Sequence, residues 1–346
     1  MTLLQTRPAT RVPAPVQARA RRQGYHVEIL LVSFAVLLVE VCYTRVISYK
    51  LFYYYTYLII GLALLGLGTG GVLVAVSRRL RRARTDTVLL WSFLLGGVAV
   101  VGSYVAVAYT TLDSLAIWDY GTSGSAKSMG ELVAICVFIF VPFVAPGVII
   151  TTLFGRRPQA VGSLYFADLV GAGLACALVI YLTGTIGPPA AIMLAAGVLF
   201  LAAAIVLGRT RPVALPVLLV LLGCTVVLTV DPNLLPAQRL DTSKVSFAGT
   251  PLYSAWSSIF RVDAVQIAPD VRALYHDGTI GSAIYRWNGR VASLAHYDFG
   301  ADPRAIPFAI AKTPSDEAII GAAGGHEVLA SLWFGAKHID AVELNP

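Results

Sequence analysis

Seven apolar stretches, at roughly 27–49, 52–76, 87–110, 129–154, 163–185, 188–208 and 213–230, constrain this chain more than any other feature of it. A bilayer core is crossed by ~20 apolar residues in helical form, because the backbone polar groups must be satisfied inside the segment itself. Each stretch meets or approaches that length, the last being the shortest. With 57% hydrophobic and 13% charged residues, the composition belongs to a membrane protein and excludes an ordinary soluble one. The formal net charge of +7 does not signal nucleic-acid binding, because the arginines stand in short clusters between the apolar stretches.

Those clusters report topology instead. Arg19, Arg21 and Arg22, then Arg78, Arg79, Arg81, Arg82 and Arg84, then Arg156 and Arg157, then Arg209 and Arg211 all fall on one side if the N-terminus is cytoplasmic. The loop "TLDSLAIWDYGTSGSAKS" has no arginine and two aspartates, as the opposite side should. The expected location is the inner cell membrane, multi-pass, with a cytoplasmic N-terminus. Residues 1–24, rich in Arg, Pro, Ala and Gln, are expected to form a disordered basic arm. No A-x-A cleavage site follows the first apolar run, so that run is expected to be retained. Cys42, Cys136, Cys176 and Cys224 all lie in apolar stretches without a CxxC and are expected to be small buried hydrophobes.

Ionisable residues inside such helices are costly and need a partner or a wet cavity. Glu40 and Arg45 lie in the first helix, Asp168 in the fifth and Glu131 near the start of the fourth. They suggest either an ion pair that locks packing, such as Arg45 with Asp168, or a polar pocket for a small charged molecule. Gly66 and Gly70 in the second stretch, and Gly171 with Ala175 in the fifth, are small-residue steps of the kind that let helices approach. The run "LFYYYTY" reads as an interfacial aromatic belt.

From Asp231 the character changes. Pro232 and Pro236 break the helical pattern, and polar residues appear at globular frequency. "RVDAVQIA", "VRALYHDG", "IGSAIYRW" and "RVASLAHY" are short runs of β-formers, with Asn288-Gly289 as a hairpin signal. A small antiparallel β region is therefore expected over roughly 240–300, followed by a linking helix near 303–312.

The last segment reads as strand, glycine turn, helix and strand: "EAIIGA", Gly321 to Gly325, "HEVLASLWF" and "HIDAVEL". Small residues let the backbone bend sharply and approach a cofactor without an intervening Cβ. The dinucleotide pattern G-x-G-x-x-G would require glycine at 326, where His326 stands. The looser pattern of S-adenosylmethionine-type folds fits better, with Gly321, Ala323 in place of the middle glycine, and Gly325. Glu343, at the end of the second strand, stands where a carboxylate can accept hydrogen bonds from ribose hydroxyls. A plain Gly-rich strand–helix turn of any α/β domain would share this pattern.

"LLVEVCYTRVIS", "GSLYFADLVGAGLACAL", "LYHDGTIGSAIY" and "IIGAAGGHEVLASLWFGAKHIDAVELNP" together resemble bacterial membrane-anchored relatives of spermidine synthase. In these a multi-helix membrane region precedes an aminopropyltransferase-like domain, itself a β-hairpin domain followed by a Rossmann-like fold. The resemblance runs from about residue 28 to the end. It implies a transferase of polyamine biosynthesis whose donor is decarboxylated S-adenosylmethionine, or S-adenosylmethionine itself if the chemistry is methyl transfer. Gly321, Ala323 and Gly325 would line the donor and Glu343 would hold its ribose. Gly324 stands where soluble members carry aspartate, and Gly281 near where they place glutamine.

The expected fold class is thus a polytopic α-helical membrane domain of about seven helices over 25–230, a β-rich part over 231–312, and the start of a Rossmann-like S-adenosylmethionine-type α/β fold over 313–346. Such a fold needs further strands and helices after Glu343. The chain is therefore expected to be a C-terminally truncated fragment without a complete catalytic site. Expected partners are the lipid bilayer, an acceptor of unknown identity such as an amine, and further copies of the chain, but not nucleic acid. The alternative is a transporter-like membrane module with a sensing or scaffolding soluble domain. Seven spans from a cytoplasmic N-terminus place the soluble domain outside, whereas a cytosolic donor would require it inside; the uninterrupted 213–230 segment favours the outside.

Overall fold

A computed structural model describes residues 24–210, 215–244, 250–311 and 316–345. The expected basic arm falls almost wholly outside them. Among the described residues, six helices are long and apolar enough to cross a membrane. They are built on α1 (His26–Lys50), α2 (Tyr57–Val76), α4 (Thr85–Tyr109), α5 (Ser123–Arg156), α6 (Val161–Thr185) and α7 (Gly187–Thr210), with the short α3 (Arg78–Arg82) between α2 and α4. The seventh stretch forms α8 (Leu215–Val230), only 16 residues. At 1.5 Å per residue it spans ~24 Å, short of a ~30 Å hydrocarbon core. The seventh expected stretch is thus helical, but over its described residues it is shorter than the other six. Glu131, expected near the start of its helix, lies two turns inside α5, which begins at Ser123; there it pairs with Lys127 at 3.9 Å.

Small residues set the packing. A Cβ on Gly70 would lie 2.3 Å from Val144 O, and one on Gly147 would lie 2.3 Å from Leu67 O, so α2 and α5 touch backbone to backbone. Gly171 of α6 meets Leu30 O of α1 in the same way, at 2.2 Å. Helices without a hydrophobic drive to associate gain van der Waals contact by such approach. In α7, Ala190, Ala191, Ala195, Ala196, Ala202 and Ala203 are fully buried, which lets this helix sit among α1, α4 and α8. The cysteines divide: Cys42 is buried and Cys136 half-buried, while Cys176 and Cys224 are exposed on the outer helix faces, contrary to the expectation that all four are buried.

The basic clusters meet at one end. Arg156 donates to Ala83 O at 2.7 Å and to Leu80 O at 2.6 Å, and Arg157 lies over the Tyr25 ring at 5.2 Å. Glu28, fully buried in the first turn of α1, pairs with Arg209 in the last turn of α7. Each charge there opposes the partial charge of its own helix end. At the other end the chain after α8 is stitched to the helices. Arg239 N donates to Ala108 O (3.0 Å), Asp241 N to Lys50 O (2.8 Å) and Thr242 N to Leu112 O (2.9 Å). The fully buried Lys50 donates to Thr110 O and Arg239 O, both at 2.6 Å. The β-rich part therefore lies at the end opposite the arginines, and α8 leads back to it alongside α7.

Four antiparallel strands follow in sequential order: β1 (Tyr253–Trp256), β2 (Arg261–Ala268), β3 (Val271–His276) and β4 (Thr279–Tyr285). β3 and β4 join through Asp277 and Gly278, with φ of 44° and 76°. Both residues of a two-residue type I′ hairpin need positive φ, which Asp-Gly supplies. The run "RVASLAHY" is not a strand. Asn288 Oδ1 accepts from Arg290 N (3.0 Å) and Ser293 Oγ (2.6 Å), and the chain coils into a 3₁₀ helix over Val291–His296. Asn288-Gly289 thus starts that turn and makes no hairpin. The linking helix is α9 (Ile306–Ala311), and β5 (Asp316–Ile320), α10 (His326–Trp333) and β6 (His338–Val342) complete a parallel β-α-β unit.

Candidate functional site

The glycine turn leaves β5 at Ile320 and enters α10 at His326. Gly321, Ala323 and Gly325 all take positive φ, at 83°, 42° and 80°. For alanine this is an uncommon backbone state that needs outside support. Glu343, just past β6, supplies it: its Oε2 accepts Ala323 N at 2.8 Å while Oε1 accepts Asn345 N at 2.7 Å. Those two backbone donors, Asn345 first, hold the Glu343 carboxyl below the usual carboxylate range. The carboxylate oxygens retain further acceptor capacity toward solvent. Gly321 N and Ala322 N both donate to Val342 O (2.8 and 3.1 Å), so the turn closes on the end of β6. Where Cβ atoms would stand on Gly321 and Gly325 there is open space. All four residues expected at the site, Gly321, Ala323, Gly325 and Glu343, are thus brought together.

Gly324 answers to a different neighbour. Its N–H donates to Ser282 Oγ at 3.2 Å, and an added Cβ would lie 2.5 Å from Ala283 O of β4. An aspartate at this position would collide with the β4 backbone. Its absence therefore follows from how the turn seats on the antiparallel sheet.

His326, read in the sequence only as a misfit to the dinucleotide pattern, is the centre of a network. Its Nδ1 lies 2.8 Å from Tyr285 Oη and its Nε2 lies 3.2 Å from Asp302 Oδ2. Asp302 accepts from Arg304 at 2.7 Å, and Arg304 also donates to Glu327 at 2.7 Å. The Arg304 hydrogen bond holds the Asp302 carboxyl down to about 2, whereas burial, aided by the Arg304 charge, lowers the His326 imidazole. This chain of groups ties α10 to β4 and to the turns before α9. No spacing rule flags it, because its members come from three separate segments.

Beside the network is a cavity of about 460 Å³ walled by Phe299, Arg304, Phe308, Glu317, His326 and Glu327. Glu317 Oε1 is buried there without a hydrogen-bond partner. Asp316, Glu317 and Glu327 and the faces of Phe299 and Phe308 line it together with Arg304, which already pairs with Glu327; the buried Glu317 oxygen beside two aromatic faces suits a cationic group.

The intramembrane residues are not brought together as expected. Asp168 accepts a hydrogen bond from Ser33 of α1, not from Arg45. Arg45 keeps Nε and Nη2 buried without hydrogen-bond partners, and the charge acting on it is that of Asp277 in the β3–β4 turn. Asp168 of α6 meets α1 at Ser33, toward the opposite end of that helix from Arg45, and the two do not pair. Glu40 is half-buried on α1 between Ser33 and Arg45.

Comparison with protein-family models, curated proteins and solved structures finds no match to this chain.

Proposed function

We propose that this chain is a membrane-anchored, aminopropyltransferase-like protein whose glycine turn and Glu343 receive a nucleoside donor of the decarboxylated S-adenosylmethionine type. The observation that carries the reading is the convergence of three positive-φ residues and a strand-end carboxylate in one strand–turn–helix–strand unit. A Rossmann-like, S-adenosylmethionine-type domain is the fold in which this unit does such work. The carboxylate-bearing cavity against α10 supports an amine as acceptor. In that reaction the acceptor nitrogen attacks the donor's aminopropyl carbon, the carbon–sulfur bond breaks with its electron pair left on sulfur, and the nitrogen gives up a proton. The test is incubation of the full-length gene product in bilayer discs with each donor and a panel of amines. Thioether release dependent on an amine supports the reading. Release only with S-adenosylmethionine would move it to a methyltransferase, and no release with either donor would overturn it.

A second reading, a membrane module with a non-catalytic sensing domain, is favoured by one observation. The β-rich part sits at the end opposite the arginine clusters, which the positive-inside tendency places away from the cytosol. A cytosolic donor would not reach it there. Impermeant thiol labelling of Asn288→Cys, in a background whose four native cysteines are replaced by serine or alanine, separates the two. Labelling in intact cells supports the outside placement and the sensing reading, and protection until lysis supports the cytosolic transferase.

A further inference from the structure

The outer surface of the helical bundle carries a feature that the glycine turn does not use. α2 and α4 each pack on α5, and between them runs an apolar groove of about 660 Å³. Leu73, Trp91, Leu95, Val98, Val144 and Val148 are among its walls. Along α4 it extends from Thr87 to Ala99, which at 1.5 Å per residue is on the order of 18 Å. One leaflet of a ~30 Å hydrocarbon core has about that depth.

The groove is charged at one end only. Arg79 and Leu80 of α3 close it there, and Arg78, Arg81, Arg82 and Arg84 adjoin them in the chain. Arg156 holds this segment in place through the carbonyls of Leu80 and Ala83. None of the five arginines from Arg78 to Arg84 has an ion-pair partner among the described residues. The nearby Asp86 is engaged by Tyr25 Oη at 2.9 Å. A leaflet-deep apolar slot that opens under uncompensated guanidinium groups matches one occupant in both its parts.

We propose that the groove seats an acyl chain of an anionic phospholipid, with the headgroup phosphate held by Arg79 and its neighbours. Guanidinium matches phosphate geometry by paired N–H donors, so selectivity belongs to the mouth and chain binding to the slot. The slot alone would take any lipid; the arginines make it prefer a negative one.

The test places the protein in discs of phosphatidylglycerol and phosphatidylcholine at equal fractions, strips bulk lipid with detergent, and counts retained lipid by native mass spectrometry. The proposal expects the anionic lipid to be retained on the order of tenfold more, the equivalent of one or two guanidinium contacts. Arg79→Gln should reduce that preference. Val98→Trp, an exposed position that fills the slot, should lower retention of both lipids. Thermal melting verifies that each variant is folded, and Val98→Ala replaces Val98→Trp, with a smaller expected loss, if the tryptophan variant is not. Equal retention of the two lipids by the wild type overturns the proposal. So does undiminished phosphatidylglycerol retention in a folded slot variant.

Discussion

Asp277 at the tip of the β3–β4 hairpin accepts a hydrogen bond from Ser48 Oγ, near the end of α1, at 2.6 Å. The same aspartate accepts Arg261 N through its other oxygen at 2.9 Å, and its own carbonyl receives Lys244 Nζ at 2.6 Å. Lys244 also donates to Ser48 O and Tyr49 O, buried last-turn carbonyls of the α1 C-terminus, at 2.9 and 2.7 Å. A cation on those carbonyls satisfies orphan acceptors and opposes the helix dipole. One hairpin tip thus fastens the soluble part to the first membrane helix.

Asp277→Ala removes two hydrogen bonds and leaves alanine in a left-handed conformation. The expected loss is ~1–3 kcal/mol, with Arg45 losing the charge that faces it. Asp277→Asn should recover part of the loss, because asparagine tolerates positive φ. Hydrogen exchange in detergent should show faster exchange at β3 and β4 in the alanine variant. Unchanged exchange would show that the hairpin tip does not fasten the two parts.

The intramembrane groups predict a specific pattern of coupling. Ser33→Ala and Asp168→Asn should be non-additive by ~0.5–3 kcal/mol, as groups in direct contact are. Arg45→Met and Asp168→Asn should add within about 0.5 kcal/mol. Thermal unfolding of the three single variants and two doubles in one detergent measures both cycles. Strong coupling between Arg45 and Asp168 would mean that α1 and α6 pack in another register.

Acid should loosen the α10 network in two steps. The ordinary values are 6.5 for His326 and 3.8 for Asp302. His326 is lowered in the folded protein, so the unfolded chain takes up its proton first and stability declines as pH falls below 6.5. Asp302 is held down to about 2; its contribution is complete above its ordinary value and is lost as pH falls from there through about 2. Exchange of the α10 amides across this range should rise first near pH 6 and again below 4. Arg304→Met should weaken the second step, because it removes the bond that lowers Asp302. A flat profile above pH 4 would show that His326 is not buried against Tyr285.

Much of this fold was legible because its signals are long or local. Six apolar stretches became helices at nearly their expected bounds, and "RVDAVQIA" became β2 residue for residue. Two things were not legible. Asn288-Gly289 looks like a hairpin, but whether its side chain caps a turn depends on Arg290 and Ser293 coiling beneath it. Pairing of charges across helices depends on axial height: Arg45 stands near one end of α1, whereas Ser33, nearer the other, is level with Asp168. At the site, the glycine turn and Glu343 form a contiguous pattern and could be read. Tyr285, Asp302 and His326 meet only once three elements have packed.

The most direct test of the nucleoside site is calorimetry of decarboxylated S-adenosylmethionine and S-adenosylmethionine with the full-length gene product in bilayer discs, wild type against Glu343→Ala and Glu343→Gln. The variants' fold is checked first by exchange at the amides of α10 and β6, whose backbone hydrogen bonds do not involve the Glu343 carboxylate. The account predicts binding of one of the two donors by the wild type. It predicts a loss of ~1.5–3 kcal/mol in Glu343→Ala, the worth of hydrogen bonds to a charged group, and a smaller loss in Glu343→Gln. Equal donor affinity in wild type and a folded Glu343→Ala variant would contradict it.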